Sequence, residues 1–205
     1  GNIPADERLA DGLPQSLQAC ITTNHLTHLK IKLSGKPDQD RARLAQIAGL
    51  LRDKADYAFT LDGNENFRTV EPFRELWQSL VSDPALKDFL SRLIFVEQPF
   101  HRDVALSDAT ATTLTAWSDR PPIIIDESDA TLDSLPRALV CGYVGTSHKN
   151  CKGIFKGIAN ACLIAHHRRQ HPDQRFELSA EDLCNVGPVA LLQDLAVVAN
   201  LGIPH

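Results

Sequence analysis

The sequence predicts an α/β fold, a parallel sheet of strand–helix units curled towards a barrel. Two observations carry this. Short apolar strands alternate with helical segments along the chain, the signature of parallel strands joined by helical crossovers. Each of five strands also ends on a charged residue: Lys32 closes HLKIK, Asp62 closes YAFTLD, Glu97 closes RLIFVE, Asp126 closes PIIID and Lys149 closes YVGTSHK. Each interval holds about one strand, one helix and two loops, roughly 30 residues. Parallel strands joined in this way bring their C-terminal ends to one face, where the active sites of such barrels lie.

The elements follow in order. Residues 5–20 read as a helix broken near Gly12 and Pro14, and 29–33 as a strand. The next helix carries one apolar stripe, Leu44, Ile47, Leu50 and Leu51. Residues 57–61 are a strand, 69–83 a helix, and a shorter helix surrounds PALKDFLSR. Residues 93–96 are a strand, 103–117 a weak helix and 123–125 a strand. A further strand is expected across 139–144, then a long helix through KGIFKGIANACLIAHHRRQ, whose basic C-terminal end suits the helix dipole. A strand at 176–178 and a helix over GPVALLQDLAVVANLG, ended by Gly202 and Pro204, complete the chain. That makes six strands, where a closed barrel of this kind needs about eight. The chain also holds no methionine, not even at position 1. The expectation is therefore one domain, residues 1–205, a barrel short of one strand at each end.

With 205 residues the chain is long enough for a large core, and 43% hydrophobic with 23% charged residues is an ordinary globular balance. The net charge of −5 gives no basic excess to suggest a nucleic-acid partner. No apolar run approaches a membrane span of about 20 residues, so no membrane partner is expected. Five cysteines, Cys20, Cys141, Cys151, Cys162 and Cys184, are odd in number and contain no CxxC. The expectation is a cytoplasmic chain with mostly buried, reduced thiols and no zinc site.

Alternate side chains of a strand share a face, so Lys30 and Lys32 point into the barrel and Leu29 and Ile31 out to the helices. Two neighbouring ammonium groups are expected to lower each other's pKa, making one a better base. The plainer alternative is an edge strand with two solvated lysines. A single acid after a strand is often only a helix cap, but Asp62, Glu97 and Asp126 recur one repeat apart. Oxygen ligands without histidine favour Mg2+, with Mn2+ as the second choice. Asn64 is placed to hydrogen-bond a ligand carboxylate and orient it, while Glu65 and Glu127 are expected to turn away. Parity puts Ser147 with Lys149 and turns His148 towards a helix. Lys152 and Lys156 are expected to be solvated surface lysines, and His166, His167 and His171 a solvated helix end.

Taken in order, KIK, LDGNENF, FVEQPF, IIIDES and GTSHKNCKG resemble the barrel domain of the enolase superfamily, in its mandelate racemase/muconate lactonizing enzyme branch. The resemblance covers roughly residues 20–200. It implies a modified TIM barrel and an α+β capping domain, the latter expected to be missing from residues 1–205. It also implies Mg2+ held by Asp62, Glu97 and Asp126, and a proton taken from beside a substrate carboxylate through an enediolate. Lys32 would be one acid/base, Lys30 its electrostatic partner and Lys149 the acid/base on the opposite face, favoured over Lys152 by parity and spacing. The partner implied is a small carboxylate substrate, and a homo-oligomer stays open. Racemisation or epimerisation and cycloisomerisation lead. An acid-sugar dehydratase, a non-catalytic barrel homologue, and a metal-assisted hydrolase or a Schiff-base aldolase using Lys149 are the alternatives.

Overall fold

The computed structural model describes residues 7–181 and 187–204. Six strands form one wholly parallel sheet in sequential order: β1 (His28–Lys32), β2 (Ala58–Asp62), β3 (Leu93–Glu97), β4 (Ile123–Ile125), β5 (Gly145–His148) and β6 (Glu177–Ala180). Each crossover carries helix: α2 (Pro37–Leu51), α3 (Val70–Val81) and α4 (Lys87–Leu90), α5 (Arg102–Ala105) and α6 (Asp108–Ala116), α7 (Ser134–Val140), and α8 (Ile154–Gln170). Helix α1 (Leu17–Thr23) precedes the sheet and α9 (Gly187–Asn200) follows it.

The main core lies between the outer face of the sheet and these helices. Ile31, Phe59, Leu61, Val96, Ile123 and Ile125 meet Leu44 and Leu51 of α2 and the buried stripe Phe73, Leu76, Trp77 and Leu80 of α3. That stripe has the i, i+3, i+4, i+7 spacing of one helix face. Phe73 packs edge-on against Trp117 and Phe100. A second cluster, around Leu135, Ile164, Phe176, Leu178 and Ile203, fastens α8 and the chain's last turn to β6.

Four expectations from the sequence need correction. The first helix starts at Leu17, where Ser16 accepts a hydrogen bond from the Ala19 N–H as its cap, and residues 8–15 are irregular; residues 5 and 6 of that prediction lie outside the described residues. The strand expected at 139–144 is the end of α7 plus a turn. Leu135 and Ala138 bury one helical face, Gly142 takes φ of 97°, and the Tyr143 N–H closes the turn onto the Ala138 carbonyl, so β5 begins at Gly145. Leu50 is exposed, because the buried stripe of α2 narrows to Leu44 and Leu51. The thiols are not mostly buried: Cys141 is, whereas Cys151 and Cys162 on the α8 side are exposed and Cys20 is half-buried, all four unpaired. Cys184 lies outside the described residues.

Candidate active site

Register brings the strand ends together. Lys32 pairs with Asp62, Asp62 with Glu97, and Glu97 with Ile124, so Asp126 stands two residues further on, just past the end of β4. On the far side His148 pairs with Ala180, which places Lys149 beside Glu181. Lys32, Asp62, Glu97, Asp126 and Lys149 therefore lie at one end of the sheet, with Lys30 two residues back on β1. Lys30, Lys32, Asp62 and Glu97 project to its inner side, as parity predicts, while Leu29 and Ile31 pack into the outer core.

The loops beyond the strands hold this edge in place. The segment after β2 pairs with the segment after β3: the Gly63 N–H donates to the Glu97 carbonyl (2.8 Å), Glu65 to Gln98 (2.9 Å) and Phe67 to Pro99 (3.0 Å). Asn64, Glu65 and Gln98 adopt left-handed backbone, with φ of 42°, 61° and 34°; such strain gathers where a site is over-determined by its surroundings. Gln98 is fully buried and links β3 to β4. Its Oε1 accepts from the N–H groups of Asp126 (2.7 Å) and Ser128 (3.2 Å), and its Nε2 donates to the Phe100 carbonyl (2.7 Å) and to Ser128 Oγ (2.8 Å). The contact of Asn64 with Asp62 is made by its backbone, whose N–H donates to Asp62 Oδ1 at 2.9 Å. Glu65 turns away to a two-pronged pair with Arg102.

The cluster alternates in charge. Lys30 Nζ lies 3.0 Å from Asp62 Oδ2 and 2.7 Å from Glu97 Oε2, and it also donates to Glu181 Oε2. Lys32 Nζ donates to Asp62 Oδ2 at 2.6 Å. Lys149 Nζ reaches Asp126 Oδ2 and Glu181 Oε1, both at 2.8 Å. Lys152 Nζ donates to Asp126 Oδ1 (2.6 Å), the Asp126 carbonyl (2.7 Å) and the Ser147 carbonyl (2.9 Å). Among the described residues, Asp62, Glu97 and Glu181 have ligand atoms within 4.8 Å of one another. Asp126 stands beside them, its oxygens turned to Lys149 and Lys152.

These contacts set the protonation chemistry. Burial pushes the Glu97 carboxyl up to about 7, against the pull of the Lys30 ammonium. Burial also acts to raise Asp126, but Lys152 and Lys149 outweigh it and hold the group below the usual carboxylate range. Burial works against charge on Lys30 and Lys149, yet the facing carboxylates win and raise both above an ordinary lysine. The sequence-based expectation that the Lys30–Lys32 pair depresses its own basicity is thereby corrected for Lys30: Glu97, Glu181 and Asp62 dominate its surroundings.

His148 faces outward as expected, against α8, with its ring hydrogen-bonded to Asn150 Oδ1 at 2.9 Å. Lys152 and Lys156 are not solvated surface lysines. Lys152 is clamped on Asp126, and Lys156 donates to the Asp129 carbonyl and lies 3.1 Å from Asp129 Oδ1, in a buried network with Thr146 and Asn160. Glu181 was missed in the sequence. It falls about one repeat after Lys149 and just past β6, but that strand, ELSA, is half polar, so the apolar run that marked the other acids is missing.

The donor set suits a hard divalent cation. Its atoms are all carboxylate oxygens. Glu97 Oε1 is buried without a hydrogen-bond partner, and the Lys30 ammonium already lies between Asp62 and Glu97.

No protein-family model matches the chain, and no curated protein does. Solved structures do. A mandelate racemase/muconate lactonizing enzyme from Roseiflexus sp. is 23% identical with a TM-score of 0.66, over 90% of this chain and 48% of that one. The N-succinyl Arg/Lys racemase from Bacillus cereus ATCC 14579 is 16% identical with a TM-score of 0.61, over 87% and 44%. The L-talarate dehydratase from Polaromonas sp. JS666, solved with Mg and L-glucarate, is 12% identical with a TM-score of 0.58, over 86% and 43%. At these identities the likeness is one of fold, and the chain spans less than half the length of each. By that measure the described residues have the fold of part of those barrels, six parallel strands curled as part of a TIM-type barrel.

Proposed function

We propose that this chain carries part of a Mg2+-dependent enzyme that removes the proton next to a substrate carboxylate, acting as a racemase/epimerase or cycloisomerase of the enolase superfamily. The observation that supports this reading is the row of acids at the ends of three successive strands, Asp62 beside Glu97 and Asp126 two residues past Glu97's partner Ile124, with Lys32 paired to the first and Lys149 to the last. Those three acids would hold the Mg2+, and Mn2+ suits the same oxygen donors. When bound, the metal would offset the charge that grows on the substrate carboxylate as its α-proton leaves.

The chain's own groups divide the remaining work. Lys32 is the most exposed lysine of the cluster, 45% against 27% or less for Lys30, Lys149 and Lys152, so its amine is the most open to a substrate. Lys149 reaches in from β5, on the other side of the acids. One amine takes the α-proton and the other returns one, which inverts the carbon when the two act on opposite faces. Lys30, surrounded by carboxylates, stays charged and serves as an electrostatic partner. The unpaired thiols fit a reducing, cytoplasmic setting.

The test is loss of α-proton signal by NMR in deuterated buffer with Mg2+, over carboxylic acids that include N-succinylarginine and L-glucarate. Mg2+-dependent exchange supports the reading. Formation of a 2-keto acid without exchange moves it to an acid-sugar dehydratase. Absence of both, in a protein that binds Mn2+, favours a non-catalytic barrel homologue.

A further inference from the structure

We propose that Glu181 is a positioning residue: the carboxylate that keeps Lys30 in the site when a divalent cation takes Asp62 and Glu97, while its second oxygen fixes Lys149. This rests on the reading above. Lys30 has three carboxylate partners, and two of them, Asp62 at 3.0 Å and Glu97 at 2.7 Å, belong to the set that would hold the metal. An ammonium and a divalent cation repel each other when they share oxygens, so the entering cation weakens both of those contacts. Glu181 is the partner left over.

Its geometry suits that task. Oε2 accepts from Lys30, and Oε1 lies 2.8 Å from Lys149 Nζ, so one carboxylate spans the two lysines. Its N–H donates to the His148 carbonyl at 3.1 Å, which ties the residue to the end of β5. The side chain is 15% exposed, enough shielding from water for charge to act strongly. It also joins the first and last strands of the sheet. A change at Glu181 should therefore release Lys30 in the metal-loaded protein and leave the metal ligands in place.

The experiment uses the whole chain with metal alone. Mn2+ binding is titrated by electron paramagnetic resonance. Acetylation of Lys30 by an N-hydroxysuccinimide ester is followed by peptide mass spectrometry, with and without saturating Mg2+. Glu181→Gln should change the Mn2+ dissociation constant by less than tenfold, and with Mg2+ present Lys30 should acetylate at least threefold faster than in the wild type. Acetylation less than threefold faster overturns the proposal. So does a tenfold or greater loss of Mn2+ affinity, which would make Glu181 a ligand. A wild-type protein that binds no Mn2+ fails the function reading itself, and this inference with it. A wild type that binds Mn2+ but shows no Glu181 effect fails only the inference. If Glu181→Gln does not fold, Glu181→Asp, too short to reach both lysines, gives the same two readouts.

Discussion

At the scale of the residue, the lysines separate by how fully their ammonium groups are paired. An ammonium has three protons to donate. Lys152 gives all three to Asp126 and Ser147, Lys149 is paired with two carboxylates, and Lys32 donates to Asp62. Lys152 is thus a structural clamp and Lys32 a group free to work. Lys152→Met should destabilise the protein by about 3 kcal/mol, since it removes a largely buried cation from Asp126 and from two backbone carbonyls, whereas Lys32→Met, at a half-exposed ammonium whose partner Asp62 keeps Lys30, should cost about 1 kcal/mol or less. Urea unfolding of both variants decides; equal losses would contradict the division. Lys32→Ala and Lys149→Ala should each abolish turnover, and α-proton exchange that survives in one of them would support a two-base route. Full turnover in both ends that assignment. The acids were legible because each ends an apolar strand. Glu181 was not, because its strand was read as closing at 178 and runs in fact to Ala180. The tight pairing of Lys152 was illegible for another reason: its acceptors are backbone carbonyls and a carboxylate 26 residues away.

At the scale of the element, each motif seen in the sequence proves to support its neighbour. LDGNENF pairs with EQPF, Gln98 holds the start of DES, and Lys152 of the KNCK stretch holds Asp126. The outer side of β5 shows how closely α8 must approach. A β-carbon on Gly157 would overlap the His148 ring, which Asn150 anchors from its other nitrogen. Elsewhere in a helix, Gly→Ala gains up to about 1 kcal/mol; here the overlap should cost about 1–3 kcal/mol, so Gly157→Ala is predicted to be destabilising. Chemical denaturation checks this, and His148→Ala in the same chain should recover part of the loss through their coupling. A stabilised Gly157→Ala would show that α8 is not seated on His148. The parity of His148 was readable because it counts back from the charged strand end. The start of β5 was not, because the apolar run Leu139–Val144 suits a helix end as well as a strand, and Gly142 with the Ala138–Tyr143 hydrogen bond settles it.

At the scale of the whole molecule, two environments share one sheet. The outer face packs aliphatic and aromatic side chains against α2, α3 and the later helices, while the C-terminal edge concentrates charge. The outer core gives the rigidity that lets opposite charges be held so close. The strand order was legible because sequential βα units leave little choice of topology. The curl was not, since the contact that joins the first and last strands links Lys30 to Glu181 across 151 residues and leaves no local pattern. Among the described residues no helix is long and apolar enough to cross a membrane. Anomalous diffraction from crystals soaked in Mn2+ tests whether the strand-end acids form a cation centre. The expected result is one strong peak within bonding distance of oxygens of Asp62, Glu97 and Asp126, with the Lys30 ammonium displaced from between Asp62 and Glu97. A map with no peak at that edge, or with its strong peak at another carboxylate cluster, would contradict it.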